Sequence, residues 1–358
     1  MVVFKGWDKV MIKTDKGEIK EGVAPVIISA SRSTDIPAFY SEWFINRLKK
    51  GYIKWINPFN RASQYVSFEK TRAIVFWSKN PKPLISHLDE IDKKGINYYF
   101  QFTLNDYEYD DLEPNVPILK ERIATFKELS NKIGKEKVIW RFDPLILTDK
   151  INIEKLLGKV RRVGSEIHNY TEKLVISFAD ITPYSKVQRN LRKSGIMYNE
   201  FDEEGMRKIA EGIQEINKDW NLEVCTCAEI TNLSKYNIKH NKCVDDVLMM
   251  KIFNGDKILM KFLGVEDDKQ LTFGNDETNN LKDKGQRLQC GCIVSKDVGQ
   301  YNTCPHLCVY CYANYSHEIV KKNIKNCDKN SESILRDQIQ KNTTNLKELP
   351  IFNATKLL

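Results

Sequence analysis

An α/β architecture built on parallel strands, in its simplest form a (β/α) barrel, is what this sequence predicts. Two patterns carry that prediction. Short apolar runs alternate with longer segments of helical period, and each run ends in a polar tail. Strands covered on both faces lose the polar alternation of a half-exposed sheet and read as continuous apolar runs. In a parallel barrel, the side chains that do chemistry collect at the carboxyl ends of the strands.

The elements follow in order. Residues 1–24 are expected to form a hairpin extension about the tight-turn signal Asp15-Lys16-Gly17. The apolar runs then fall at 26–30, 73–77, 98–102, 138–142, 174–178 and 222–226, and helices are expected over 41–50, 117–133 and 202–218. The polar tails read SRSTD, SKNP, TLND, RFDP, ADITPYS and CAE. Any one of them is explained by helix capping and turn closure, whereas six in series favour a site. Residues 25–320 therefore form the barrel, with a cysteine-rich region over 225–311. Residues 264–284 read as a polar excursion, and 321–358 as a C-terminal extension.

Composition narrows the class. The 358 residues are 41% hydrophobic and 29% charged, which fits a globular chain and excludes a disordered, collagen-like or membrane-spanning one. Lys and Arg total 56 against 48 acidic residues, a net +8 that permits an anionic partner without demanding one. The first twenty residues show no signal-peptide pattern and no later run has the length of a membrane span, so a cytoplasmic protein is expected. In a reducing compartment nine cysteines point to metal ligation or thiol chemistry rather than disulfides.

The sharpest motif is Cys304-Pro305-His306-Leu307-Cys308-Val309-Tyr310-Cys311, a CxxxCxxC in which three thiolates can converge from one loop. Three soft ligands suit a four-iron, four-sulfur cluster with one iron left open, and a structural zinc site completed by His306 or a distant cysteine is the plainer alternative. The stretch from Gly299 through Asn314 resembles the cluster-binding loop of radical S-adenosylmethionine enzymes, closest to the spore photoproduct lyase-like branch. Ser33-Thr34-Asp35-Ile36-Pro37-Ala38-Phe39-Tyr40 resembles the second-strand segment of that branch, Thr103-Leu104-Asn105-Asp106 its third, and Arg141-Phe142-Asp143-Pro144-Leu145-Ile146 a later one. There the cluster loop follows the first strand, whereas here it lies near the C-terminus, so the order resembles a circular permutation. From 22 to 320 the whole arrangement is similar to the family DUF1848.

The resemblance implies a partial, circularly permuted (β/α) barrel of the radical S-adenosylmethionine type. By the same carry-over, Cys304, Cys308 and Cys311 hold the cluster, and S-adenosylmethionine chelates the open iron. Ser33, Thr34 and Asp35 receive its amino group, Arg141 pairs with its carboxylate, and Tyr310 packs near the adenine. Asn105 and Asp106 reach the ribose or substrate, or simply cap a helix. A flavodoxin or ferredoxin is implied as reductant.

Cys225, Cys227, Cys243, Cys290 and Cys292 form a second set, of which Cys227, Cys243, Cys290 and Cys292 are chosen because the family's strand tail reads C-A-E, as at Cys227-Ala228-Glu229. Softness permits an auxiliary iron–sulfur cluster or a zinc cage, and iron–sulfur is the expectation; buried cysteines acting as small hydrophobes are the bland alternative. The basic segment 186–193 is expected to be either a solvated helix face or a nucleic-acid contact, and Trp77 and Trp140 to be core. The expected activity is that of an iron–sulfur radical enzyme generating a 5'-deoxyadenosyl radical, acting on an unidentified substrate for which a nucleic-acid base or lesion is one candidate. The alternative is a non-catalytic zinc or iron–sulfur module that binds nucleic acid.

Overall fold

The structure, a computed structural model, describes residues 4–265 and 281–335. Most of the expected polar excursion at 264–284 and the end of the C-terminal extension lie outside those residues. The strands in chain order are β1 (Asp8–Lys13), β2 (Ile19–Ala24), β3 (Ile27–Ala30), β4 (Tyr52–Ile56), β5 (Ser63–Ser67), β6 (Ala73–Ser78), β7 (Asn97–Thr103), β8 (Val138–Leu145), β9 (Leu147–Thr148), β10 (Lys173–Phe178), β11 (Tyr198–Asn199), β12 (Glu223–Thr226), β13 (Ile238–His240) and β14 (Lys296–Asp297).

Eight of them form one parallel sheet in the order β13-β12-β10-β8-β7-β6-β3-β14. Among the described residues no ladder joins β13 to β14, so the sheet is open and no closed barrel forms. The six apolar runs are the six central strands, and the chain's last strand pairs beside β3, the sheet's first in sequence. β1 and β2 pair about the Asp15-Lys16-Gly17 turn, and this hairpin joins β5 and β4 in a second sheet.

Side-chain alternation divides the large sheet into two cores. On one face Ile28, Ile74, Phe76, Phe100, Trp140 and Ile176 pack against the helices Ser41–Lys50, Leu119–Ile133, Ile153–Ile167 and Glu203–Asn217. On the other, Ile27, Val75, Tyr99, Ile139, Val175 and Cys225 meet the helices Asp246–Ile252 and Lys257–Phe262 and the second set of cysteines. These two helices cover the amino ends of the strands. Asp256 accepts from Arg72 Nε at 2.9 Å and Asn97 Nδ2 at 2.7 Å, and Asp245 pairs with Lys173 at 3.2 Å. Closure at that end leaves the carboxyl ends as the place where polar side chains of several strands meet.

The segment after the cysteine loop returns to the start of the chain. After the helix His317–Lys325, Trp43 Nε1 donates to Ser331 O at 2.9 Å and Lys54 N to Glu332 O at 2.8 Å. No helix among the described residues is long and apolar enough to cross a membrane.

Candidate metal centre

β14 delivers the cysteine loop to the carboxyl ends of the strands because Lys296 and Asp297 pair with Ile28 and Ser29. Asp297 fixes the junction, accepting from Ser29 Oγ at 2.7 Å, Arg32 N at 2.9 Å and Gly299 N at 2.9 Å. Gly299 is required here, since a Cβ would lie 1.8 Å from Ser31 Oγ and 2.6 Å from Ser33 Oγ. The loop then folds on itself. Asn314 Nδ2 donates to Cys304 O at 2.8 Å, Asn302 N to Ala313 O at 3.0 Å, Cys311 N to Cys308 O at 3.0 Å, and Ala313 N to Cys311 Sγ at 3.4 Å. Tyr40 anchors it from outside through its hydroxyl on Thr303 O at 2.5 Å.

Burial pushes the Cys304 thiol up to about 12, and the carboxylate of Asp35 adds to it; burial likewise raises Cys308 and Cys311. Left bare, these sulfurs are neutral thiols at neutral pH, and a bound cation is what would bring all three to the thiolate state. That donor set fits a soft metal or an iron–sulfur cluster, although among the described residues no three ligating side chains already stand as a finished metal cage.

Asp35 ties the loop to two strand tails. Its carboxylate accepts from Ala38 N at 3.0 Å, Ser78 Oγ at 2.7 Å and Lys79 N at 2.7 Å, and it faces His306 Nε2 at 2.9 Å. His306 is thereby held away from the thiols by a partner on each ring nitrogen, the second being Asn115 O at 3.2 Å. Ser33 Oγ lies 3.1 Å from Ser31 Oγ, and Thr34 Oγ1 is buried with no partner.

Tyr310 sits at the centre of a buried polar network. Its hydroxyl bonds Glu113, accepts from Lys79 Nζ at 2.8 Å and lies 3.3 Å from Asn105 Nδ2. Lys79 Nζ pairs with Glu113 at 2.7 Å, and Asn105 Nδ2 donates to Glu113 at 3.0 Å and to Asp143 O at 3.2 Å. Burial alone would raise the Glu113 carboxyl, yet Lys79 and Arg122 outweigh it and hold it at about 2. Burial opposes the charge on Lys79, but Glu113 raises its affinity for the proton. Asp106, beside Asn105, turns away to Arg162 at 3.1 Å.

Sequence reasoning passed over Lys79 and Glu113. Lys79 stands in the SKNP tail, where its strand-end position was the available signal; Glu113 lies in an irregular segment with no periodicity to mark it.

Arg141 lies on the face of the sheet that carries Ile139 and Tyr99, bound to Asp143 through Nε at 2.8 Å and through Nη2, with Nη1 3.1 Å from Gln101 Oε1 and 3.0 Å from Cys243 Sγ. The second thiols gather beside it. Cys227 Sγ is 3.5 Å from Cys243 Sγ, and Cys292 Sγ accepts from Cys243 N at 3.2 Å and Val244 N at 3.4 Å. Cys290, two residues before Cys292, is buried on the same face. Cys225 is buried on the same face, its thiol raised to about 12 by burial, and Cys327 packs against the helical core.

At the rim, the helix Ser185–Lys193 lays Arg189 over Tyr315, 4.5 Å from the ring centroid, with Lys186 at 5.6 Å. Trp140 is fully buried as expected, whereas Trp77 is half-buried beneath Arg32, 4.9 Å from the ring centroid.

A family model described as Domain of unknown function (DUF1848) matches residues 27–313, most of the chain, and the protein belongs to that family. No curated protein and no solved structure matches it.

Proposed function

We propose that this protein is a radical S-adenosylmethionine-type enzyme on a circularly permuted, partial (β/α) barrel. The observation that carries the reading is the position of β14. The strand that launches the CxxxCxxC loop is last in sequence yet pairs beside β3, so the loop and the SRSTD tail stand side by side at one end of the sheet. Once the chain is permuted, β14 and β3 take the first and second places that the resemblance requires, whereas TLND ends the fourth strand, β7, and not the third, because β6 lies between. A four-iron, four-sulfur cluster on Cys304, Cys308 and Cys311, charged by a flavodoxin or ferredoxin, would supply the electron that splits S-adenosylmethionine into methionine and a 5'-deoxyadenosyl radical.

The chain's own residues bind, orient and shield. Thr34 Oγ1, buried and unpartnered, is free to meet the amino group, and the neighbouring Ser33 hydroxyl, bonded to Ser31 Oγ, keeps a lone pair for it. Asp35 already accepts four partners, so it fixes the loop against the β3 and β6 tails. Lys79 places a buried positive charge beside Cys308, favouring an anionic ligand set. Tyr310, Asn105 and Glu113 lock the loop to the β7 and β8 tails and keep that wall of the site dry.

Nucleic acid is the substrate class the rim supports. Lys186, Arg189 and Arg287 lie over Tyr315 and Tyr184, and Tyr184 and Tyr301 adjoin the partly exposed Tyr312, an alternation of cations and rings suited to phosphates and bases. The deciding experiment is anaerobic reconstitution followed by assay of 5'-deoxyadenosine from S-adenosylmethionine and dithionite. Product is expected from the wild type and none from Cys308→Ala; product from that variant would sink the reading. Binding of single-stranded DNA or RNA should weaken steeply as salt rises, and salt-independent binding would point to another substrate class.

A further inference from the structure

The second cysteine set lies on the face of the sheet lined by Ile27, Val75 and Tyr99, apart from the CxxxCxxC loop, and the spacing of one sulfur pair in it favours one of the two kinds of centre that softness allows. Cys227 Sγ and Cys243 Sγ are 3.5 Å apart. Tetrahedral coordination at a metal–sulfur distance of about 2.3 Å places neighbouring sulfurs about 3.8 Å apart, close to this spacing. A four-iron cube holds each thiolate on a different iron, with the body of the cluster between them, so its cysteines cannot stand in contact.

The surroundings suit thiolate ligands rather than inert core thiols. Cys243 Sγ faces two side-chain donors, Arg141 Nη1 at 3.0 Å and Asn241 Nδ2 at 3.3 Å, and Cys292 Sγ faces two backbone N–H groups at 3.2 and 3.4 Å. Neutral thiols are weak acceptors, and four donors directed at two of them, one a buried guanidinium, would be poorly matched. Arg32 comes in from the β3 tail toward Cys292, and its buried Nη2 has no hydrogen-bond partner. Cys290 follows through Gly291, where a Cβ would approach Lys242 Cγ to 3.0 Å.

We propose that Cys227, Cys243, Cys290 and Cys292 form a mononuclear four-thiolate site for a zinc-class dication, with Arg141 and Asn241 as the outer donors that orient its ligands. The bound metal would tie together β12, the segment entering the helix Asp246–Ile252 and the segment leading to β14, whose thiols are neighbours. It thereby joins the last part of the sheet to the strand that launches the cysteine loop. This inference takes Arg141, already held by Asp143 and Cys243, away from the S-adenosylmethionine carboxylate; in every other respect it stands if the radical-enzyme reading fails.

The test uses the full chain expressed with both iron and zinc in the medium and purified anaerobically. A triple variant, Cys304→Ala with Cys308→Ala and Cys311→Ala, isolates the second site. About one zinc per chain and no iron is expected in it, with cobalt replacing zinc to give the intense thiolate charge-transfer absorption of a tetrahedral site. Cys243→Ser should abolish that metal while the CxxxCxxC loop still takes up iron. About four irons with sulfide in the triple variant would overturn the mononuclear assignment, and no metal with four freely titrating thiols would overturn the site altogether. Should Cys243→Ser fail to fold, the cobalt spectrum of the triple variant decides alone. Failure of the radical reading would appear elsewhere, as absent 5'-deoxyadenosine from an iron-loaded wild type.

Discussion

Glu113 shows how much of the candidate site rests on single side chains. It is buried, and Lys79, Asn105 and Tyr310 all meet one of its oxygens. A carboxylate in that position is tolerable only while its cations stay in place. Its folded value of about 2 lies below the ordinary 4.5, so the unfolded chain takes up the proton first as acid is added. The stability it contributes is therefore complete above pH 4.5 and lost as pH falls toward 2. Urea unfolding followed across that window should show the wild type weakening more steeply than Glu113→Gln, which lacks this carboxylate, while Asp15 and Asp143, also held low, weaken both proteins alike. At neutral pH the same variant leaves Lys79 without its counter-ion and should lose about 3–5 kcal/mol. Equal slopes for the two proteins in acid would refute the assignment of Glu113 as the charged member.

The elements the sequence displayed most clearly are those buried on both faces. The helix ends at 50 and 133 and the starts of β6 and β8 lie where the apolar periodicity placed them, because burial keeps the strand runs apolar save for a few paired polar residues such as Gln101 and Arg141. β4, β5 and β13 escaped notice for the opposite reason. β13 is three residues long, and β4 and β5 carry Lys54, Trp55, Gln64 and Tyr65 on half-exposed positions, so none of them offers a continuous apolar signal. The resemblance does imply a strand leading to the cysteine loop, and β14 is that strand, two residues long. The cysteine spacing revealed which residues meet in the loop, but the second thiols come from three separate segments, and only folding shows that Cys227 and Cys243 are in contact. Tertiary packing also explains a glycine inside an otherwise regular helix. Gly164 lies in Ile153–Ile167, where a Cβ would stand 2.0 Å from Trp220 Cη2. Gly164→Ala improves local helix propensity, yet it must displace a ring wedged beside Trp140 and His168. Overpacking should win, with a net loss of about 1–3 kcal/mol in chemical denaturation; a gain in stability would show that Trp220 moves freely.

On the scale of the whole molecule, the decisive contact joins the two ends of the chain. β3 is among the first strands and β14 the last, separated by more than 260 residues, yet the loop that β14 launches is usable only if the two stand in register. Two residues of ladder are a weak clamp, and Asp297 supplies what the ladder lacks. Its carboxylate holds the Ser29 hydroxyl, the Arg32 amide and the Gly299 amide together. Asp297→Ala strands these donors in a part-buried junction, at about 1–3 kcal/mol for each one left unsatisfied. The cost should be local: the central strands keep their neighbours, while amide protection at residues 29–33 falls in hydrogen exchange and, on the proposed cluster assignment, iron uptake by the loop drops in parallel. Asp297→Asn, which retains acceptor oxygen at the same position, should recover part of both. If iron loading survived unchanged in the alanine variant while exchange at 29–33 rose, the loop would be holding its ligands without help from β3. The contact between the chain's ends would then serve folding alone.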